Sequence, residues 1–441
     1  DGFRDADYYF GGEDDGAMTT GWLQIDITYD EAINDDYKYT AAAFNDDEDQ
    51  TRWFYFKSNG KMIKSDEGDR TKDKTINGKK YAFDQYGAMV AEWSLDSDDE
   101  KEASDNVGHY AASTNQTVAS VSEAWQGKGN YAQYSKAWKY FNSVEDGARV
   151  SKGWFKVVPA EYLNEGKYDD DEDFWYYADG SGNLYAGEFK TIKGKKYAFR
   201  NDGRMLTGLK FILEDDDNDN LTVYADDDGT YNFDNEDDFL DNAVAFYEPG
   251  GYKCYYFGGG DDGAMRTNKT TVEIDGENHN FYFEKSGSKK GAGVTGEKDD
   301  KLYQSGMLLK ADSDDKYIVV DKTTKYKTVD GQKVLDYVTY NKLDDAKDFM
   351  AQDDVLESNT AVDADGKIDL GNNNKKKAED ISEAYTIRYK AYGSSDMTTH
   401  EYFLVNTSGK VIDNRGKNKD GSDYYYVTDN SGKITNIYVE D

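Results

Sequence analysis

The 441-residue chain has one cysteine, Cys254, so it has neither a disulfide framework nor a cysteine-rich metal site. Its only prolines, Pro159 and Pro249, exclude a proline-rich stalk. Basic charge is scarce: 53 Lys and Arg stand against 89 Asp and Glu, a net charge of −36. Nothing in that balance displaces counterions from phosphate, which excludes nucleic acid as a partner and disfavours docking on anionic lipid. No apolar run approaches the ~20 residues that insert into a bilayer; the run from Tyr317 to Val320 is the size of a core strand. Reactive motifs are missing too. His109, His279 and His400 lie in dissimilar contexts outside any zinc-protease or deaminase pattern, and no Gly-x-Ser-x-Gly elbow occurs. Close carboxylate pairs are no sign of a glycosidase, because 89 acids produce them by chance. The segment Asp215–Asp226 lacks the glycine and closing glutamate of an EF-hand loop. We therefore expect no catalytic residue, metal or cofactor. The chain opens at Asp1 without a signal peptide and reads as a mature or trimmed fragment.

Aromatic residues and glycine are abundant: 38 Tyr, 20 Phe, 7 Trp and 42 Gly. They recur as a unit of aromatic-x-aromatic, a short loop, then Gly-x-Met, often followed by Gly-Trp. Tyr8-Tyr-Phe-Gly-Gly-Glu-Asp-Asp-Gly-Ala-Met18 returns almost unchanged as Tyr255-Tyr-Phe-Gly-Gly-Gly-Asp-Asp-Gly-Ala-Met265. Ile76-Asn-Gly-Lys-Lys-Tyr-Ala-Phe83 is echoed by Ile192-Lys-Gly-Lys-Lys-Tyr-Ala-Phe199. Alternation with a period of two predicts strands, and the Asn/Asp/Gly loop predicts a turn from which the Met starts the returning strand. The first hairpin of each triplet has a longer loop, five residues between Phe and Gly, ending in an acid followed by Asp-Gly: Phe10 to Gly16, Phe141 to Gly147 and Phe257 to Gly263. Most later hairpins have three, as in Phe83 to Gly87.

A lone hairpin is marginal in water, so such units are stable only when each buries its aromatic face on the next. The expected fold is all-β: a β-solenoid of stacked hairpins with loop or short-helix insertions and degenerate C-terminal repeats. Module 1 covers 1–136, module 2 covers 137–251, a degenerate module 3 covers 252–310, and a C-terminal degenerate repeat and capping region covers 311–441. Insertions fall near 24–52, 94–136, 155–173, 210–251 and 340–398. Val118–Trp125 and Lys375–Ala384 read as short helices, and Asp169–Asp173 as a solvated loop.

The unit resembles the bacterial cell-wall-binding repeat of choline-binding and glucan-binding proteins. Gly21-Trp22, Trp53-Phe-Tyr-Phe56, Gly153-Trp154, Phe174-Trp-Tyr-Tyr177 and the two Gly-Lys-Lys-Tyr-Ala-Phe blocks carry the likeness. The resemblance implies a non-enzymatic, secreted protein on a Gram-positive cell surface, anchored non-covalently to wall polymer. It also implies aromatic cages between successive hairpins: Trp22 with Trp53 and Tyr55, and Trp154 with Trp175 and Tyr177. In module 3 the equivalent positions are Lys269 and Asn280, so no cage is expected there. The negative charge repels a polyanionic backbone, which leaves a choline substituent of teichoic acid or a neutral glycan as the partner. Two alternatives stay open. One is a structural spacer or adhesin binding a protein or host glycan, its aromatics serving only as core. The other is the anchor region of a lytic enzyme whose catalytic domain lies elsewhere.

Overall fold

Strands dominate the computed structural model of the chain, which describes residues 7–11, 14–27, 50–66, 69, 71–84, 86–95, 131–160, 163–215, 220–223, 233–343, 349, 356–390 and 395–441. The chain divides into two compact units. Unit 1 holds Asp1–Leu206 with Glu214–Thr222 and Asp226–Gly229, and unit 2 holds Thr207–Leu213, Val223–Ala225 and Thr230–Asp441.

Among the described residues, unit 1 contains five two-stranded antiparallel ribbons. They pair β1 (Gly21–Ile27) with β2 (Gln50–Phe56), β3 (Thr71–Ile76) with β4 (Lys79–Asp84), and β5 (Glu92–Leu95) with β6 (Trp138–Phe141). The last two pair β7 (Gly153–Val157) with β8 (Phe174–Ala178), and β9 (Glu188–Ile192) with β10 (Lys195–Phe199). This pairing revises the sequence expectation. The Phe-to-Met loop does not join the two strands of a ribbon. It is closed by one isolated bridge, as at Phe56↔Met62, Phe83↔Met89 and Phe199↔Met205. The ribbons turn instead at Asn77-Gly78 and Lys193-Gly194, where both residues have positive φ (50° and 81°; 48° and 82°) as a type I′ turn requires. The inserted segments therefore occupy ribbon tips, between β1 and β2, β5 and β6, and β7 and β8.

Consecutive loops interlock. A Cβ placed on Gly87 would stand 2.7 Å from Met62 Sδ, and Gly60 and Gly147 receive Met18 and Met89 in the same way. Arg149 against Gly182 and Leu184 against Gly203 continue the series. Backbone bonds follow the same steps: Met89 N–H donates to Trp53 C=O, Arg149 N–H to Lys80 C=O and Met205 N–H to Trp175 C=O, each at 2.8 Å. Each loop's glycine thus provides the space for the preceding loop's side chain, which is the physical reason for Gly-x-Met.

Unit 2 contains most of β11 (Leu209–Asp215), which pairs with β13 (Lys253–Tyr256); the short strand β12 (Asn220–Val223) lies between them in sequence. β14 (Asn268–Ile274) and β15 (Glu277–Phe283) join β16 (Gly296–Lys298), β17 (Lys301–Gln304) and β18 (Met307–Leu308) in one sheet, ordered β14-β15-β18-β17-β16. The shortened last hairpin of module 3 turns at Ser305-Gly306, both with positive φ. The interlock continues here. Gly291 receives Met265, Gly409 receives Leu308 and Gly432 receives Val411, so the loops at Gly409 and Gly432 continue the series despite about a hundred intervening residues.

Those residues build β19 (Tyr317–Val329) and β20 (Gln332–Leu343), a long hairpin whose sheet is completed by β25 (Thr398–Asn406). They also build β21 (Leu356–Ser358), β22 (Lys367–Asp369), β23 (Lys375–Lys377) and β24 (Ile381–Ile387). β24 lies between β21 and β28 (Ile434–Glu440) in a sheet with β26 (Asn418–Lys419) and β27 (Tyr425–Thr428). The helix expected over Lys375–Ala384 is therefore mostly strand, with one 3₁₀ turn at Ala378–Asp380. Ile381, Thr386 and Ile387 favour the pleat; Ala384 is buried opposite Tyr438 of β28 and Ile387 opposite Leu356 of β21. The helix expected over Val118–Trp125 lies outside the described residues. Asp169–Asp173 is exposed, ending a short helix (Glu165–Asp169) in the insertion between β7 and β8.

Candidate aromatic binding sites

Ribbon register decides which rings meet. Trp22 lies opposite Tyr55 and Gln24 opposite Trp53, so Trp22, Trp53 and Tyr55 share one face of β1/β2. Trp22 meets Trp53 edge-on at 6.3 Å and Tyr55 at 5.1 Å between ring centroids. The next ribbon adds Tyr81 at 4.9 Å and Phe83 at 5.8 Å. The second expected set repeats this arrangement. Trp154 stands 6.3 Å from Trp175, 5.0 Å from Tyr177, 4.9 Å from Tyr197 and 5.8 Å from Phe199. Trp22, Trp53, Trp154 and Trp175 are each partly exposed.

In the first set a cavity of about 210 Å³ is lined by Trp22, Trp53, Tyr81, Met89, Glu145 and Asp146. Tyr55 supports Trp22 from the neighbouring strand and is not part of this lining. Tyr81 and Tyr197 were not among the residues expected from the sequence, although both stand in the Gly-Lys-Lys-Tyr-Ala-Phe blocks. Their recurrence at one position of a duplicated block was the available signal. Glu145 had a weaker one, the longer loop of the hairpin that carries it. Its Oε2 accepts from Trp53 Nε1 at 3.0 Å and from the Gln24 amide at 3.3 Å.

A third copy of the ring arrangement is closed. Trp93 meets Trp138 at 6.4 Å, Tyr140 at 5.2 Å and Tyr176 at 5.0 Å. Its indole N–H donates to Val158 C=O at 2.8 Å, and Ala160 and Leu163 from the same insertion pack into the cluster. Trp93 is 8% exposed and Trp138 1%. Burial, reinforced by Glu92 and Asp173, pushes the Tyr140 hydroxyl up to about 12, as expected in a water-poor core. In unit 2 the described residues 233–247 of the insertion between β11 and β13 also fold inward. Its helix Glu236–Asn242 is capped by the Asn235 side chain and buries Phe239 and Leu240 beside Phe211 and Tyr247.

At the module 3 positions, Lys269 lies opposite Tyr282 and Asn280 opposite Thr271, where the cages carry Trp opposite Tyr and Trp opposite Gln or Lys. Lys298 Nζ stands 4.2 Å above the Tyr282 ring and pairs with Glu284 at 3.2 Å. The protein's own ammonium occupies that aromatic face. Elsewhere, burial and the nearby charge of Glu248 push the Cys254 thiol well up, away from the reactive thiolate. His400 pairs with Asp321 at 2.9 Å and His279 with Glu236 at 3.7 Å, while His109 lies outside the described residues. Among the described residues no group of three or more His, Cys, Asp or Glu is placed to hold a metal, and no helix is long and apolar enough to cross a membrane.

No family profile matches the chain, and no curated protein matches it. Solved structures do. The chain is similar to choline binding protein F from Streptococcus pneumoniae at 16% identity, over 97% of this chain and 89% of that one, with a TM-score of 0.37. One crystal of that protein was obtained in the presence of a peptidoglycan analogue, a tetrasaccharide-pentapeptide. It is also similar to CbpJ from S. pneumoniae TIGR4, at 18% identity over 74% and 87% of the two chains, TM-score 0.26. The modular autolysin LytC of S. pneumoniae matches at 18% identity over 71% of this chain and 43% of its own, TM-score 0.28.

Proposed function

We propose that this chain is a non-enzymatic cell-wall or carbohydrate-binding protein of a bacterial surface, similar to the choline-binding repeat proteins. In this reading its ribbons stack as a β-solenoid and its ligand groups sit between them, at Trp22/Trp53/Tyr81 and Trp154/Trp175/Tyr197. The supporting observation is the same partly exposed ring geometry built twice, with matching centroid distances at each of four contacts. Where the arrangement serves only as core both tryptophans are buried, as at Trp93 and Trp138, whereas Trp22, Trp53, Trp154 and Trp175 stay partly exposed. Edge-to-face indoles with a phenol beside them present ring faces to a cation or to the flat side of a sugar, at about 0.5–2 kcal/mol per cation contact. Choline-substituted teichoic acid or a neutral wall glycan would satisfy such sites. The attachment would be non-covalent, with two weak sites reinforcing each other.

Titration of choline, malto-oligosaccharides and purified wall against intrinsic Trp fluorescence tests this. A response to at least one is expected, weakened by Trp53→Ala or Trp175→Ala. Silence toward all three contradicts it. A second reading, a spacer or adhesin for a protein or host glycan, draws support from the Trp93 set closed by an insertion and the Tyr282 face covered by Lys298. It predicts capture of a host glycan or protein without wall binding.

A further inference from the structure

The cavity beside Trp22 differs from a purely aromatic cage in having two carboxylates at its rim, and they are not equivalent. Asp146 is neutralised locally: its Oδ1 lies 3.3 Å from Lys79 Nζ, and its Oδ2 accepts from the Asn142 amide at 2.9 Å. Among the described residues Glu145 accepts from neutral donors alone, the Trp53 indole N–H and the Gln24 amide. Its negative charge is held against the ring that lines the cavity, with no lysine or arginine among the described residues bonded to it. The loop that delivers it belongs to β6, beyond the ribbon carrying Tyr81, and is the five-residue form ending Glu145-Asp146-Gly147. The three-residue loop from Phe83 to Gly87 has no acid corresponding to Glu145. The extra loop length thus acquires a purpose: it brings a carboxylate back over an aromatic site. Trp175 Nε1, the counterpart of the Trp53 nitrogen, is buried without a hydrogen-bond partner.

We propose that Glu145 is the specificity-determining residue of the Trp22/Trp53/Tyr81 site, restricting it to a cationic alkylammonium group in preference to a neutral sugar. The inference rests on the reading that this site binds ligand. The rings supply a surface that accepts either class, since the quadrupole attracts an ammonium and the ring face stacks on a pyranose. An unneutralised carboxylate a few ångströms away separates the two classes, because it adds Coulomb attraction only for the cation. A cavity of about 210 Å³ is also smaller than the ~300–1,000 Å³ of ordinary ligand pockets, which suits a compact headgroup better than a sugar chain. Because Glu145 is exposed, the attraction is screened, and selectivity falls as salt rises.

The test follows the Trp22 indole signal by NMR in the full chain, titrated with choline, with its uncharged isostere 3,3-dimethyl-1-butanol and with maltose. Wild type is expected to bind choline about 5–10-fold more tightly than the isostere, the combined size of a ring cation contact and an exposed charge interaction. The preference should shrink between 0.1 and 0.5 M salt. Glu145→Gln preserves the acceptor oxygen for Trp53 and Gln24 and removes the charge. It is expected to lower choline affinity about two- to fivefold, leaving only the preference that the rings give a cation, while the isostere's affinity and the melting temperature stay unchanged. Glu145→Lys should invert the preference. Equal affinities in wild type, tighter maltose than choline, or an unchanged preference in Glu145→Gln would each overturn the assignment of Glu145 while leaving a binding site in place. No response of Trp22 to any probe would overturn the site itself and the inference with it.

Discussion

Individual tryptophans in this chain have two fates, decided by what lies over the ring. Trp22 and Trp53 border an open cavity, whereas Trp93 gives its N–H to Val158 and is covered by Ala160 and Leu163. Trp53→Ala should weaken ligand affinity about tenfold, as the loss of one ring contact implies, with a modest change in melting. Trp93→Ala should do the reverse, lowering stability by about 3–5 kcal/mol in chemical denaturation and leaving ligand affinity unaltered. Asp84 is a second residue with a measurable signature. Burial pushes its carboxyl up to about 7, although amide bonds from Ala88 and Tyr86 and the charge of Arg52 pull the other way. The folded state therefore holds this proton more tightly than the unfolded chain. Its stabilising contribution is complete below the ordinary carboxylate value of ~4 and is lost as pH rises through 7. Asp84→Asn retains the Oδ1 acceptor for both amides and removes the titration. Its melting temperature relative to wild type should climb from pH 4 to about pH 7 and level off above that; a constant difference would show that Asp84 does not titrate there.

Between residue and molecule stands the ribbon with its loop. Gly87 and Gly78 have similar φ, 88° and 81°, but only Gly87 faces another loop's methionine; around a Cβ on Gly78 there is open space. Gly78→Ala should therefore cost about 1 kcal/mol, the price of the backbone conformation alone. Gly87→Ala should cost more, and Met62→Ala should recover the excess in a double-mutant cycle, whereas additive effects would show that the interlock carries no energy. This level also shows how much the sequence discloses. Aromatic alternation and Gly-x-Met are local and repeat often, so strands, layers and the persistence of the pattern past residue 310 were legible. Strand partners were misassigned because Asp-Gly ends both kinds of connection. The stronger type I′ signal, Ile76-Asn-Gly-Lys79, marks the ribbon turn, and the loops close on one bridge apiece. That Trp22 meets Trp53 and Trp154 meets Trp175 was legible because all four belong to the repeated unit. Tyr81 and Tyr197 approach from the following ribbon, and Glu145 reaches Trp53 across 92 positions of sequence, a juxtaposition that no local pattern records.

For the whole molecule the decisive property is repetition with selective loss. One ring arrangement borders a cavity in one place, keeps partly exposed tryptophans in a second and is closed by an insertion in a third, while the corresponding positions of a further ribbon lack both tryptophans and hold a lysine over the remaining Tyr282 ring. Two weak sites on one chain should bind polymeric wall by avidity, so Trp53→Ala combined with Trp175→Ala should reduce wall binding far more than either change reduces binding of free ligand. The most direct measurement follows the tryptophan indole signals of the full chain by NMR during titration with choline and with malto-oligosaccharide. The proposed function requires Trp22 and Trp53, together with Trp154 and Trp175, to shift with at least one ligand while Trp93 and Trp138 stay still. Movement of Trp93 and Trp138 alone, or of no tryptophan with either ligand, would contradict it.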